Sequence, residues 1–426
     1  MGLKRYKLGD LIEVTRGQSL AGEFYAEEGK YIRLTLGNFD YANGGFKPNT
    51  SKTNLYYTGP IKEQFILEEG DIITPLTEQT PGLLGSTARI PISGTYIQSQ
   101  DVALVRCKDG MIDPAFCYYL LPSSSVKKQL AAGAQQTKIR HTSPDKIKDV
   151  VVDIPDISEQ RRIGQLLDAI THKIELNRSI NQNLEALAKQ LYDYWFVQFD
   201  FPDEQGKPYK SSGGKMVWNE KLKREIPDGW EAVSVNDISD SYRGVSYAKD
   251  DLVDEQHGLL VLRGNNIQNS QLVFDSNVAY IPESFVSDEQ KIRKGHIIMT
   301  MSSGSKEHVG KCVLFHHEPN ETYGAFLTKF VPHAFCSNLL YNVFNSDYFK
   351  SIIKSTASGT GINNLTNQTF DNIFIAMPPM ELLQKYDALQ DQLFGEVGNL
   401  QQNTWNLIKQ RDELLPFLMN GQVTLE

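Results

Sequence analysis

The sequence predicts an α+β protein: two globular domains in tandem, each followed by a long helix, with the two helices packed together as a coiled coil. Three observations predict it. The chain has 426 residues, and at roughly 150 residues per domain it needs more than one core. It aligns with itself. And two far-separated segments carry the same long apolar stripe.

Internal similarity is the most informative of the three, because a repeat sets the whole architecture. Tyr6–Gly17 (YKLGDLIEVTRG) aligns with Val233–Gly244 (VSVNDISDSYRG) at an offset of 227. Gly70–Ile73 (GDII) aligns with Gly295–Ile298 (GHII) at 225, and Thr137–Pro155 with Thr360–Pro378 at 223. A drift of four residues over such a length is what a few loop insertions produce. Each copy opens with a globular part of short strands and turns. Tyr31–Leu36, Asp71–Thr74 and Val102–Arg106 have strand-like apolar and β-branched content, bounded by Gly, Pro and Asn. Asp113–Leu130 reads as a helix rich in Phe, Tyr and Leu.

A long helix closes each copy. In the first, Ser158 with Glu159 opens it after Pro155. Its apolar positions run Ile163, Leu166, Ile170, Ile174, Leu184, Leu191 and Trp195, with one extra residue near Ile174. The second copy matches with Tyr386, Leu389, Leu393, Val397, Leu407, Leu414 and Leu418. Steps of three and four residues are the coiled-coil pattern, here with a stutter. Two matched helices of this length favour mutual packing over each lying on its own domain. Asn177 and Thr404 fall on or beside the seam, where polar residues set register. Between the copies, the Gly-, Pro- and Lys-rich stretch Trp195–Trp230 reads as an ordered connector with aromatic anchors at both ends.

Composition narrows the function. Apolar residues make up 40% and charged residues 22%, with 20 Phe and 19 Tyr, which excludes wholesale disorder and a fibrous repeat. Apolar stretches such as Gly258–Leu262 fall far short of the ~20 residues of a membrane span. MGLKRYKLGD has no apolar leader, and Tyr6 replaces the hydroxyl of a myristoylation signal. Four scattered cysteines with no C-x-x-C pair indicate a reduced, cytoplasmic protein. The net charge of −9 argues against an all-basic nucleic-acid coat, although the N-terminal third is mildly basic.

Common active-site signatures are missing. Gly304–Cys312 (GSKEHVGKC) has the wrong glycine spacing for a P-loop. There is no Asn-Pro-Pro-aromatic motif for amino-methyl transfer and no dinucleotide turn. His308, His316 and His317 lack companions for a metal set. Pro144-Asp145 and Pro227-Asp228 lack the acid-x-Lys that would complete a nuclease motif. The expectation is no catalytic residue and no metal.

The layout resembles the specificity (S) subunit of type I restriction–modification systems, along essentially the whole chain. The residues that carry the resemblance are Ile154-Pro155 with Ser158-Glu159-Gln160-Arg161-Arg162-Ile163, and the connector segments WFVQFDFP, GKPYKSSGGKMVWN and IPDGW. The second copy departs from this wording, with MPPMELLQKY at its helix start. The resemblance implies five parts: a first target recognition domain at 1–155, a first helix at 156–197, a connector at 198–229, a second recognition domain at 230–378 and a second helix at 379–420. It implies helices that run antiparallel and a pseudo-two-fold relation between the copies.

It further implies DNA recognition without catalysis. Each recognition domain reads half of a split, asymmetric site on double-stranded DNA. The helices set the gap and dock two methyltransferase (M) subunits, and restriction (R) subunits join the full complex. S-adenosylmethionine, ATP and Mg belong to those partners, with no cofactor on this chain and no membrane involved. Two other readings stay open: a self-sufficient DNA methyltransferase or nuclease fragment, and a protein scaffold that does not bind DNA.

Base reading needs Arg or Lys for guanine and Asn or Gln for adenine, displayed on loops. Equivalent loops in the copies are Arg16–Ser19 and Arg243–Ser246, Thr74–Gly85 and Met299–Gly310, and Gln135–Arg140 and Ser358–Asn363. The candidate DNA-binding residues are Arg16, Thr77, Gln79, Lys138 and Arg140 in the first copy. In the second they are Arg243, Arg263, Asn265, Ser302, Ser303 and Lys306.

Overall fold

A computed structural model describes residues 2–41, 44–78, 82–133, 140–268, 271–273, 278–304, 308–356 and 363–423. The chain divides into two compact units. The first comprises residues 1–177 with 403–426, and the second residues 178–402.

In the first unit the strand Val102–Cys107 sits inside a four-stranded antiparallel sheet. It pairs with Ile12–Arg16 on one side and Ile72–Pro75 on the other, and Ala88–Arg89 completes the edge. Its first four residues are all buried because the sheet separates two cores. Ala103 and Val105 face one core with Val14 and Ile72. Val102 and Leu104 face the other with Ile73 and Ala88. Such alternation follows from the two-residue period of a strand. A second sheet pairs Tyr31–Arg33 with Tyr56–Tyr57 antiparallel and with Tyr96–Ile97 parallel.

The second unit repeats this topology. Ser239–Arg243, Leu327–Pro332, Ile297–Thr300 and Cys312–Leu314 form the four-stranded sheet in the same order. Leu259–Leu262 pairs with Tyr280–Ile281 antiparallel and with Thr322–Tyr323 parallel. Even the joining ribbons match: Lys4–Lys7 with Val151–Ile154, and Glu231–Ser234 with Phe374–Met377.

The expected helix Asp113–Leu130 is two helices, Pro114–Leu120 and Ser124–Gly133. Asp113 caps the first by accepting the Phe116 N–H, and Pro122, which has no N–H to donate, falls in the break between them.

The long helices span Ile157–Tyr192, continued by a π-turn over Asp193–Val197, and Met380–Met419. Asp156, not Ser158, caps the first. Its Oδ1 accepts from the N–H groups of Ser158 and Glu159, both at 3.0 Å. Gln160 then ties the helix to the first unit, accepting the Asp113 N–H at 3.0 Å and donating to the Pro155 carbonyl at 2.9 Å. Gly164 allows that approach, since a Cβ there would lie 2.8 Å from the Ala115 Cβ.

Burial along both helices follows an unbroken heptad, and this corrects the expected stutter. In the first it runs Gln160, Ile163, Leu167, Ile170, Ile174, Asn177, Asn181, Leu184, Ala188, Leu191, Trp195. In the second it runs Leu383, Tyr386, Gln390, Leu393, Val397, Leu400, Thr404, Leu407, Arg411, Leu414, Leu418. Leu167 takes the place expected of Leu166. Leu389 is 42% exposed while Gln390 is fully buried. Polar side chains hide the repeat from an apolar count. Asn177 and Thr404 are both buried, as are Asn181 and Gln390.

Within the second unit, Gln390 Nε2 donates to the Ala188 carbonyl at 2.9 Å, and Trp195 packs on Tyr386 with ring centroids 5.6 Å apart. The helical stretches therefore run in opposite directions there. The connector is part of the same core: Phe201 stacks on Trp230 at 5.1 Å and Phe196 meets Tyr386 edge-on at 4.6 Å. Aromatic pairs of this kind add about 1 kcal/mol each beyond the area they bury.

Candidate nucleic-acid interface

Each unit carries a turn and a two-residue ribbon built on its four-stranded sheet. In the first unit the strand Ile12–Arg16 ends at Gly17, where a Cβ would stand 2.2 Å from the Ser99 carbonyl oxygen. Only glycine fits, which lets the chain cross the turn Ser99–Val102 closely. Arg16 then donates from Nε to the Gln100 carbonyl at 2.8 Å, and the Val102 N–H closes the turn onto the Ser99 carbonyl at 3.2 Å. The Leu76 N–H donates to the Asp101 carbonyl at 2.9 Å, joining the turn to the ribbon of Thr77–Glu78 and Arg140–His141.

Glu78 holds that ribbon together. Its side chain is buried, and Oε2 accepts the N–H groups of Gly82, Leu83 and Leu84 at 3.0, 2.8 and 3.0 Å. The other oxygen lies 3.7 Å from the Arg140 guanidinium, which is 37% exposed. Lys127 Nζ donates to the Gly82 carbonyl at 3.0 Å, and burial holds its ammonium below the usual lysine range. The arrangement offers two exposed guanidinium groups, Arg16 and Arg140, on a backbone locked from beneath. Rigid forks of donors suit guanine edges or phosphate oxygens.

The second unit repeats the construction with different side chains. Gly244 takes the place of Gly17, its Cβ position 2.2 Å from the Gly324 carbonyl oxygen. Arg243 Nε donates to the Ala325 carbonyl at 3.1 Å, as Arg16 does to Gln100. The ribbon is Ser302–Ser303 paired with Asn363–Asn364. So Glu78 opposite Arg140 in one unit corresponds to Ser303 opposite Asn363 in the other. Arg263 and Asn265 sit on an adjoining loop: the Arg263 N–H donates to Asn266 Oδ1 at 2.9 Å, and a Cβ on Gly264 would lie 3.3 Å from Thr300.

Of the candidate residues, the structure gathers Arg16 and Arg140 about one turn and ribbon, and Arg243, Ser302 and Ser303 about the other. Arg263 and the exposed Asn265 adjoin the second group. Thr77 is corrected: it is 7% exposed, paired with His141 in the ribbon, and supports the site instead of displaying a side chain from it. Gln79, Lys138 and Lys306 lie outside the described residues. Sequence reasoning missed Glu78 and both turn tips. The tips share no wording (SQDV against GAFL), and in sequence only the offset of 225, that of GDII and GHII, relates them. Among the described residues no group of three His, Cys, Asp or Glu gathers to hold a metal ion, and no helix is long and apolar enough to cross a membrane.

Known proteins resemble this chain in sequence and in fold. Residues 2–186 match the family model described as type I restriction modification DNA specificity domain. The type I restriction enzyme StySPI specificity subunit of Salmonella potsdam is 30% identical over 208 residues, 47% of this chain and 44% of that protein. The match thus spans less than half the length of that relative. The MjaIX specificity subunit of Methanocaldococcus jannaschii is 26% identical over 81% of this chain and 78% of its own. The crystal structure of a type I restriction–modification S subunit from M. genitalium superimposes with a TM-score of 0.60 at 17% identity, covering 98% of this chain and 96% of that one. Residues 2–186 are thus similar in sequence to the specificity domain of type I restriction–modification systems, and nearly the whole chain shares the fold of the M. genitalium S subunit.

Proposed function

We propose that this chain is the non-catalytic, DNA-reading specificity subunit of a type I restriction–modification complex. Two target recognition domains, residues 1–155 and 230–378, each read one half of a bipartite, asymmetric site on double-stranded DNA. The helices at 156–197 and 379–420 pair as an antiparallel coiled coil with pseudo-two-fold symmetry, set the spacer, and dock two methyltransferase subunits. The connector at 198–229 ties the copies together.

One observation carries the reading: the same glycine-tight turn and ribbon occur in both units with different side chains at equivalent places. A scaffold kept constant while its display diverges suits two readers of two different sequences, as a dimer would place them but without the palindrome. Arg16, Arg140, Arg243, Arg263, Asn265, Ser302 and Ser303 are the proposed contacts, with Gln79, Lys138 and Lys306 on the same loops.

Partner subunits account for what this chain lacks. They bring S-adenosylmethionine for adenine methylation, and ATP with Mg for the restriction subunits. Their phosphate contacts make the net charge of −9 tolerable. Ile180, Leu187 and Tyr194, exposed at seven-residue steps on the first helix, offer an apolar stripe for docking. The work is cytoplasmic, where the DNA is.

The test is selection from random-sequence duplexes by the chain assembled with its methyltransferase subunits. Enrichment of a two-part motif with a constant gap is the expected result. Failure to bind any duplex would favour the scaffold reading, and turnover of S-adenosylmethionine by the chain alone would favour an enzyme.

A further inference from the structure

The turn Gly324–Leu327 of the second unit is held on every side. The Leu327 N–H closes it onto the Gly324 carbonyl at 2.9 Å, and the Gly324 N–H donates to the Leu262 carbonyl at 2.9 Å. Arg243 occupies the Ala325 carbonyl at 3.1 Å. The Phe326 carbonyl accepts two backbone donors, Met301 N–H at 3.0 Å and Ser302 N–H at 3.3 Å. Yet the Phe326 side chain is 66% exposed, more than any other large apolar side chain among the described residues.

A lone exposed hydrophobe on a loose loop needs no explanation. Here backbone hydrogen bonds fix the turn and with it the direction of the Phe326 Cα–Cβ bond, and the ring it carries stands in water. Its neighbours in the turn and ribbon are Arg243 and Ser302, two of the proposed contacts. The first unit has the same turn, Ser99–Val102, pinned by Arg16 and Leu76 in the same way. At the position of Phe326 it carries Asp101. The place is structurally constant and chemically divergent, as a reading position is.

We infer that Phe326 is a specificity residue of the second unit, packing its ring against the 5-methyl group of a thymine in that unit's half-site. The inference rests on the specificity-subunit reading and adds a residue and a base to it. A phenyl ring has no hydrogen-bonding group, and the thymine methyl is the apolar feature that base edges present in the major groove. Arg and Ser beside it supply donors for the neighbouring acceptors.

The experiment uses the full chain assembled with its methyltransferase subunits. Once the site is mapped, its thymines are replaced one at a time by deoxyuridine, which lacks only the methyl. One such replacement, in one half-site, weakens binding about fourfold, the value of one buried methyl group. Phe326→Ala weakens binding to the unmodified duplex and no longer distinguishes thymine from uracil at that position, while melting like the wild type. Phe326→Leu keeps part of the discrimination. If Phe326→Ala binds every duplex as the wild type does, or keeps every uracil penalty, the inference is wrong although the bipartite site stands. If the assembled complex recognises no bipartite site, the specificity reading falls and the inference with it.

Discussion

Arg16 and Gln100 are joined by a 2.8 Å hydrogen bond from the guanidinium Nε to the backbone carbonyl, and Arg243 and Ala325 repeat it at 3.1 Å. Each arginine is thus anchored by one nitrogen while the side chain stays exposed. Arg16→Ala should cost about 1 kcal/mol of stability or less, the net value of an exposed hydrogen bond. It should degrade one half-site while leaving the other unchanged, and Arg243→Ala should do the converse. Methylation mapping of the two variants checks this. Loss of both halves from either variant would contradict independent readers.

Glu78 accepts three backbone N–H groups with one carboxylate oxygen. Glu78→Ala leaves those donors, one buried and two part-buried, without their acceptor and should destabilise by about 2 kcal/mol. Glu78→Gln keeps an acceptor oxygen in the same position and should cost about 1 kcal/mol. Denaturant titration of the two variants separates a scaffold role from an exposed contact. Equal, small losses would show that Glu78 does not hold the ribbon.

Gln390 is fully buried on the helix seam, and its Oε1 has no hydrogen-bond partner among the described residues. Its amide nitrogen binds Ala188 and the Tyr386 hydroxyl. A polar seam residue trades stability for register. Gln390→Leu should be neutral or stabilising by about 1 kcal/mol, whereas Gln390→Ala should lose about 2 kcal/mol through the cavity it leaves. A strongly destabilised Gln390→Leu in thermal melts would show that the amide is needed for stability itself.

Two histidines of the second unit should make its stability fall in acid. Burial, reinforced by the charges of Lys329 and Arg293, pulls His296 down to about 4, and its Nδ1 accepts the Arg293 N–H at 3.0 Å. Burial pulls His316 down to about 4 as well, where it stacks on Phe394 at 4.4 Å. Between pH 6.5 and 4 the unfolded chain binds protons that the folded chain refuses. Stability from both groups is therefore present above pH 6.5 and is lost as the pH falls towards 4. His316→Phe should flatten part of that decline in melts recorded from pH 7 to 5. An unchanged pH profile would remove His316 from the account.

Insertion of four residues after Leu184, about one helical turn, tests the ruler. The DNA spacer should lengthen while both half-sites stay as they were. A changed half-site with a constant spacer would separate the helices from spacing.

The repeat was legible because local chemistry recurs with it: GDII and GHII both place a glycine at positive φ, Gly70 and Gly295 alike at 85°, before a buried strand. The helices were legible in extent but not in phase. Asn181, Gln390 and Arg411 hold heptad positions that an apolar count passes over, so the stripe points to Leu389 where its neighbour Gln390 is the buried residue. The candidate loops are legible through their arginines, since Arg16-Gly17 and Arg243-Gly244 share wording. Thr77 was misjudged because pairing with His141 across some sixty residues leaves no local trace. The turn tips leave no sequence trace for the same reason: what holds them is backbone bonding from Leu76, Met301 and Ser302, which any residue could supply.

On the proposed function, this chain supplies the sequence reading of a methylating complex, one half-site per unit. The direct test is adenine-methylation mapping of a genome with and without the chain, in cells that supply the cognate methyltransferase. A split motif present only with the chain, with one half altered by Arg16→Ala and the other by Arg243→Ala, is the predicted result. Unchanged methylation, with the methyltransferase active and bound, would contradict it.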